Sequence, residues 1–296
     1  MSWCPLHASA ASALFTPSNW SDANAGLYWS RFFDQWRAPL NDGWPAPLQP
    51  SGGDAETELS GGKRSWLNHF TGPDKSVGNP ARLAEYHDRQ VRLIDALGGR
   101  PLHFRLDSPF VTGIGLPHPV ENGLLFHHTL ACPYLSGSSV KGLVRAFAAE
   151  TGEIEPTVLQ RLLGDRPDRP SGGVGAVAFG DALPTCPVEL YVDILTPHLG
   201  EWLITDDPIR HRPGDWVEPN PIPFLAIAPG QTFVFPLLPE CCAARSRDER
   251  DADIAMIEAC LAEALRWAGA GAKTALAYGR FSAVPVPAQS FAQTNK

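Results

Sequence analysis

The sequence predicts an α+β protein, with the order strand, helix, strand, strand, extra strands, helix, strand over residues 100–286. Three observations carry this. Leu102, Phe104 and Leu106 alternate with His103 and Arg105, the period of a half-buried strand. Val140, Leu143, Val144 and Phe147 fall at i, i+3, i+4 and i+7, one apolar face of a helix, and Ile254, Ile257, Leu261, Leu265 and Ala268 repeat that spacing. Glycine (27) and proline (29) make up about a fifth of the 296 residues, against roughly 12% in ordinary domains, which argues against a plain helical bundle.

Taken in order, residues 22–37 carry Leu27, Tyr28, Phe32, Phe33 and Trp36 on a candidate amphipathic helix. Residues 39–62 are rich in Pro, Gly and Ser and read as a loop. Lys63, Arg64, Trp66 and His69 are expected on a solvated turn beside a helix, with contact to a polyanion as the sharper alternative. A helix is expected over 80–97, opened by Pro80 and stopped by Gly98-Gly99, and a strand over 101–107. Residues 108–130 form an extended excursion or hairpin. Helices follow over 136–150 and 157–163, then strands over 173–181 and 188–195 joined by a Pro-containing turn. Residues 196–223 are a long patternless loop, of the kind that is often functional. Strands at 224–228 and 232–237, a helix at 251–268 and a strand at 278–286 complete the order. It matches a ferredoxin-like βαββαβ unit with insertions, giving an N-terminal helical extension packed on the core (1–99), a core domain (100–286) and a tail (287–296).

Composition narrows the function. The net charge of -8 argues against a free-standing duplex binder but leaves room for a local basic groove. The six cysteines make no CxxC pair, and the vicinal Cys241-Cys242 pair cannot close a relaxed disulfide. They read as reduced thiols, so a cytoplasmic location is expected. Residues 1–15 lack a basic n-region, and no apolar run approaches the roughly 18 residues that span a membrane, so neither a signal peptide nor a membrane partner is expected.

Two glycine-bearing stretches carry the candidate chemistry. Gly137-Ser138-Ser139-Val140-Lys141-Gly142 opens a helix, with Ser138 or Ser139 as the expected N-cap. Orphan amides and the helix dipole favour an anion there, and Lys141 and Arg145 lie four apart off the apolar face. Gly142 lowers helix propensity, and close packing or a ligand's approach would offset that equally well. Gly269 is a natural C-cap, but Gly271, Lys273 and Thr274 exceed what a cap needs and read as a binding loop. Tyr278 and Arg280 add a stacking ring and a cation, suited to single-stranded RNA. Neither stretch is a phosphate-binding loop of the NTPases: Lys141 precedes Gly142, and Lys273 follows Ala272 after a helix instead of a strand. His127 and His128 could serve acid–base chemistry, but no partner can be placed by spacing and a structural role is favoured. Asp206 and Asp207 are weak as a cation site, so neither metal nor cofactor is expected.

PYLSGSSVKGLVR and GAGAKTALAYGRF resemble the two glycine-bearing motifs of the RAMP superfamily, RNA-binding proteins of CRISPR systems, over roughly residues 100–286. Ser136 stands where that family often has Pro. VELYVDILTPH, with WVEPNPIPFLAI after a long loop, is most similar to a subunit of the type III-B (Cmr) effector. The resemblance implies an RRM-like fold and a non-catalytic subunit that binds the 3′ region of CRISPR RNA near the end of a filament of related RAMP subunits, with target RNA as a further partner. It also implies guide-phosphate contacts from Ser138, Ser139, Lys141 and Arg145, and from Gly269, Gly271, Lys273 and Thr274. A RAMP endoribonuclease that processes precursor RNA is the alternative.

Overall fold

The computed structural model describes residues 20, 23–37, 46–47, 62–165, 173–198, isolated positions over 202–219, 221–240 and 245–285. The expected tail, Cys241-Cys242 and Asp206 lie outside the described residues. In chain order the elements are α1 (Ala25–Arg31), β1 (Trp36–Arg37), β2 (Ala46–Pro47), α2 (Gly62–Leu67), β3 (Ser76–Val77), α3 (Pro80–Leu97), β4 (Arg100–Leu106), α4 (Gly137–Thr151) and α5 (Pro156–Leu163). Then come β5 (Val177–Phe179), β6 (Leu183–Pro184), β7 (Val188–Leu195), β8 (Ile222–Ile227), β9 (Thr232–Pro239), α6 (Arg247–Glu263) and β10 (Phe281–Ala283). A π-helical turn (Ala264–Ala268) and a 3-10 turn (Thr274–Leu276) separate α6 from β10.

These elements form two compact units that interleave along the chain: 1–80, 111–133 and 187–228 in one, and 81–110, 134–186 and 229–296 in the other. The contacts therefore do not divide at residue 99/100 as the sequence suggests. Pairing is the reason: β7 pairs with β3 and β8, which draws the middle of the chain to the N-terminal residues.

The second unit holds a sheet in the order β10-β4-β9-β5, with every pairing antiparallel and β6 also on β9. β9 is central because Phe233, Val234, Phe235 and Leu237 are all buried, an unbroken apolar run that suits a strand covered on both faces. The strands expected over 173–181 and 188–195 fall in different sheets; β5 pairs with β9. β7 alternates buried and exposed positions at its start, Val188 and Leu190 inward with Glu189 outward, and belongs to the other unit's sheet. Phe104, Phe110, Phe233, Phe235 and Phe281 meet edge to face at centroid distances of 5.4–5.8 Å. Each such buried ring contributes roughly 1.5–3 kcal/mol. α4 and α6 pack against one another, and both reach β5. α3 is held to the sheet through His87, whose Nε2 lies 2.8 Å from the Pro184 carbonyl of β6.

α6 starts where its chemistry dictates. Ser246 accepts from the Glu249 amide while the Glu249 carboxylate accepts from the Ser246 amide, a capping box that starts the helix at Arg247, four residues earlier than expected. The buried Asp253 carboxylate ties α6 to Arg161 of α5 at 2.8 Å and to Arg245.

The first unit has an antiparallel β3-β7-β8 sheet and an aromatic cluster. α1 ends at Arg31, shorter than expected, and Trp36 lies on a strand. Trp66 and Phe70 are fully buried and His69 is half-buried against Trp66, so the expected solvated turn is instead core. Residues 111–133 form no hairpin of named strands; a single bridge joins Phe126 and Pro133.

His118 stacks on Trp29 at 3.9 Å, its Nε2–H donates to the Trp29 carbonyl, and its Nδ1 accepts from the Val120 amide. Burial lowers its pKa to about 4, only partly opposed by the Trp29 hydrogen bond. The folded state thus holds the neutral ring, whereas the unfolded ring protonates near pH 6.5. Stability from this residue is complete above pH 6.5 and falls as pH drops towards 4, by about 2 kcal/mol after allowing for partial exposure. Urea unfolding from pH 7.5 to 4 checks it: His118→Gln flattens the dependence if the ring is its source, and an unchanged slope refutes the assignment.

Candidate nucleic-acid interface

α4 begins one residue before its first serine pair. Ser136 takes the extended conformation (φ -64, ψ 144) and its Oγ accepts from the Ser139 amide, so Ser136 is the N-cap, not Ser138 or Ser139. Three near-consecutive serines make the choice ambiguous by residue type alone. The Gly137 amide donates to the Asp181 carboxylate at 2.8 Å. One anion therefore already sits at the helix start, supplied by the protein itself. Gly137 is buried, and a Cβ there would lie 2.2 Å from the Phe179 carbonyl oxygen. Its lack of a side chain serves the approach of α4 to β5.

Ser138, Lys141, Gly142 and Arg145 fall at i, i+3, i+4 and i+7 along α4 and line one face. Ser138, Ser139 and Gly142 are exposed, and Lys141 and Arg145 are half-buried. No atom lies within 4 Å of the position a Gly142 Cβ would take, so close packing does not account for this glycine. The Lys141 ammonium makes no hydrogen bond or ion pair among the described residues. Partial burial first, and then the Arg145 guanidinium, holds its pKa below the ordinary lysine range. An anion placed here would relieve that repulsion. Arg145 also serves the neighbouring helix. Its Nη2 reaches the carbonyls of Leu163, Gly164 and Asp165 at 2.9, 3.1 and 3.5 Å, closing the C-terminus of α5.

Gly142→Ala is expected to stabilise the fold by about 0.5–1 kcal/mol, since an exposed helical glycine gains propensity without a clash. Thermal melting checks this, and a loss of stability would show that the face is covered.

The second stretch is a cross-braced loop. Gly269 ends the π-helical turn at φ 75, its amide donating to the Ala264 carbonyl. Gly271 is exposed at φ 81. Lys273 and Ala277 both adopt left-handed backbone without being glycine, strain of order 1 kcal/mol each. Arg280 Nη2 donates to the Thr274 carbonyl at 3.2 Å, the Arg280 amide donates to Ser108 Oγ, and Nη1 is buried without a hydrogen-bond partner beside Gly269. Arg280 thus braces the loop from within. Tyr278 is half-buried on the same loop.

α4 packs on the π-helical turn that leads into this loop, and Cys260 Sγ lies 4.0 Å from the Val144 carbonyl. Both candidate stretches therefore belong to one unit and to neighbouring elements. His127 and His128 belong to the other unit, where His127 Nδ1 accepts from the Leu130 amide at 3.3 Å within its own turn and the His128 carbonyl accepts from Asn24.

Fold and site together define a mixed helix-and-sheet protein that presents a serine- and lysine-bearing helix face next to a braced glycine loop. Residues 103–282 match the model of the RAMP superfamily, and the chain belongs to that superfamily.

Over 112 residues the chain is 33% identical to the CRISPR system Cmr subunit Cmr6 of Pyrococcus furiosus, a stretch that is 36% of this chain and 30% of that protein. The chain thus spans under a third of the curated relative it matches. Its fold is similar to a chain in the cryo-EM structure of the Type III-B Cmr-beta bound to cognate target RNA, with a TM-score of 0.58 and 19% identity over 80% of this chain and 78% of that one. The crystal structure of Cmr6 from Pyrococcus furiosus overlaps with a TM-score of 0.36 and 22% identity, over 63% of this chain and 98% of that one. Among the described residues no helix is long and apolar enough to cross a membrane.

Proposed function

We propose that this protein is a non-catalytic RNA-binding subunit of a type III-B CRISPR effector ribonucleoprotein, contacting the backbone of the 3′ region of CRISPR RNA and capping a filament of related subunits. The observation that carries the reading is the α4 face: an exposed serine, an unpacked glycine and a lysine without a counter-ion among the described residues, on the motif that resembles the family's own. Such a surface recognises phosphates and not bases, which suits guides of variable sequence. The β10-β4-β9-β5 order supports the ferredoxin-like reading, because in chain order of the four strands it runs fourth, first, third, second with all neighbours antiparallel. The RNA contacts then fall at helix starts and loops, since α3 lies over the sheet face that carries His103.

Partners under this reading are CRISPR RNA, neighbouring RAMP subunits and, through the assembled complex, target RNA, in the cytoplasm. The test is photocrosslinking of an effector reconstituted on guide RNA with photoreactive uridines at either end. Crosslinks from 3′ positions to peptides within 137–145 and 269–280 are expected. Crosslinks confined to the 5′ end would overturn the placement. Incubation of the pure chain with repeat RNA and no divalent metal is expected to leave the RNA intact; site-specific cleavage abolished by His127→Ala would favour the endoribonuclease.

A further inference from the structure

Trp267 stands out among the large apolar side chains that remain exposed, at 62% of its surface, two residues before the glycine loop. Its geometry is not that of a stray surface residue. α6 does not run straight into the loop; it widens into a π-helical turn over Ala264–Ala268, a feature frequent at functional sites. This turn carries Ala264 and Leu265 into the core while leaving Arg266 and Trp267 outward. The indole Nε1–H donates to the Glu263 carboxylate at 2.8 Å, which ties the indole to a fixed point one helical turn back. The Arg266 guanidinium sits 5.0 Å from the indole ring centroid, over one face. The exposure that remains is consistent with an open second face.

We infer that Trp267 is a stacking platform for one unpaired base of the RNA whose phosphates the adjacent loop contacts, with Arg266 behind the ring as a cationic support. This rests on the RNA-binding reading and adds to it a contact to a base, where that reading invokes only phosphates. The charge balance favours a polyanion: Arg266 flanks the ring and Lys273 and Arg280 follow on the same loop, three cations against the one Glu263 carboxylate that anchors the indole. A purely apolar protein partner would have to desolvate that guanidinium. Base stacking on an aromatic ring is sequence-tolerant because every base has a π-face, which again suits variable guides.

The test is a cycle on the full-length chain with a short fluorescein-labelled single-stranded RNA, intact or with abasic sites placed one at a time. Trp267→Ala is expected to weaken binding of intact RNA by about 5- to 100-fold, while Trp267→Phe retains most of it. One abasic position should weaken wild type by a similar factor and Trp267→Ala no further. Equal binding by Trp267→Ala and wild type overturns the inference while leaving phosphate binding standing. So does a loss that is independent of every abasic position, or a defect confined to assembly with other subunits. If the wild-type chain binds no RNA and Lys141→Ala changes nothing, the RNA-binding reading fails as well.

Discussion

Gly279→Ala is expected to destabilise the protein by about 4 kcal/mol, the largest effect of any single substitution proposed for it. Gly279 sits at φ 66, where an L side chain is strained by about 1 kcal/mol or more. A Cβ there would lie 1.9 Å from the Ala270 carbonyl oxygen and 2.9 Å from its carbon, atoms of the backbone that no rotamer change can move aside. The surrounding chain cannot shift either. The Gly279 amide donates to the Pro109 carbonyl, the Ala270 amide donates to the Gly279 carbonyl at 2.8 Å, and Arg280 is held by Ser108 and Asp107. The substitution must therefore open the glycine loop or detach the start of β10. Urea unfolding monitored by circular dichroism checks it, and a loss below about 1 kcal/mol would show that the loop is not closed as described.

Lys141→Ala combined with Lys273→Ala is expected to weaken RNA retention by about 30-fold, at about 1 kcal/mol per phosphate contact, without unfolding the chain. Two lost contacts should also flatten the dependence of affinity on salt, by a slope of about 0.7 each for a single strand. The two residues differ in setting. Lys141 is half-buried on α4 beside Arg145, and Lys273 takes the left-handed backbone that starts the 3-10 turn. Filter binding across a salt series separates the outcomes: parallel lines for wild type and double variant would mean that neither lysine meets a phosphate. Loss of affinity with an unchanged slope would point to a structural defect instead.

Local patterns were legible. The apolar spacing of Leu83 and Ile94 placed α3, the alternation around Phe104 placed β4, and the apolar face from Val140 to Phe147 placed α4, though its cap fell on Ser136 and not on the expected Ser138 or Ser139. Partners were not legible. Asp181 lies 44 residues from the amide it occupies at Gly137, and Leu163 lies 18 residues from the Arg145 that closes its helix. No periodicity encodes such distances. The central strand did carry a signal of its own: the unbroken run Phe233-Val234-Phe235 marks a strand buried on both faces, whereas Val188-Glu189-Leu190 marks one with a solvent side.

By itself, then, the sequence determined the long helices and strands of the core, α3, β4, α4, β9 and α6 among them, and which two glycine-bearing stretches carry cations beside small residues. The tertiary structure alone decided which strands share a sheet, which serine caps α4, and that Arg145 and Arg280 spend donors on backbone carbonyls of neighbouring elements. It also decided that Trp267 is turned outward. The physical reason is one of range. Side-chain periodicity reports burial relative to the local axis, whereas a hydrogen bond or a Cβ-sized gap depends on chain segments brought together only by the fold.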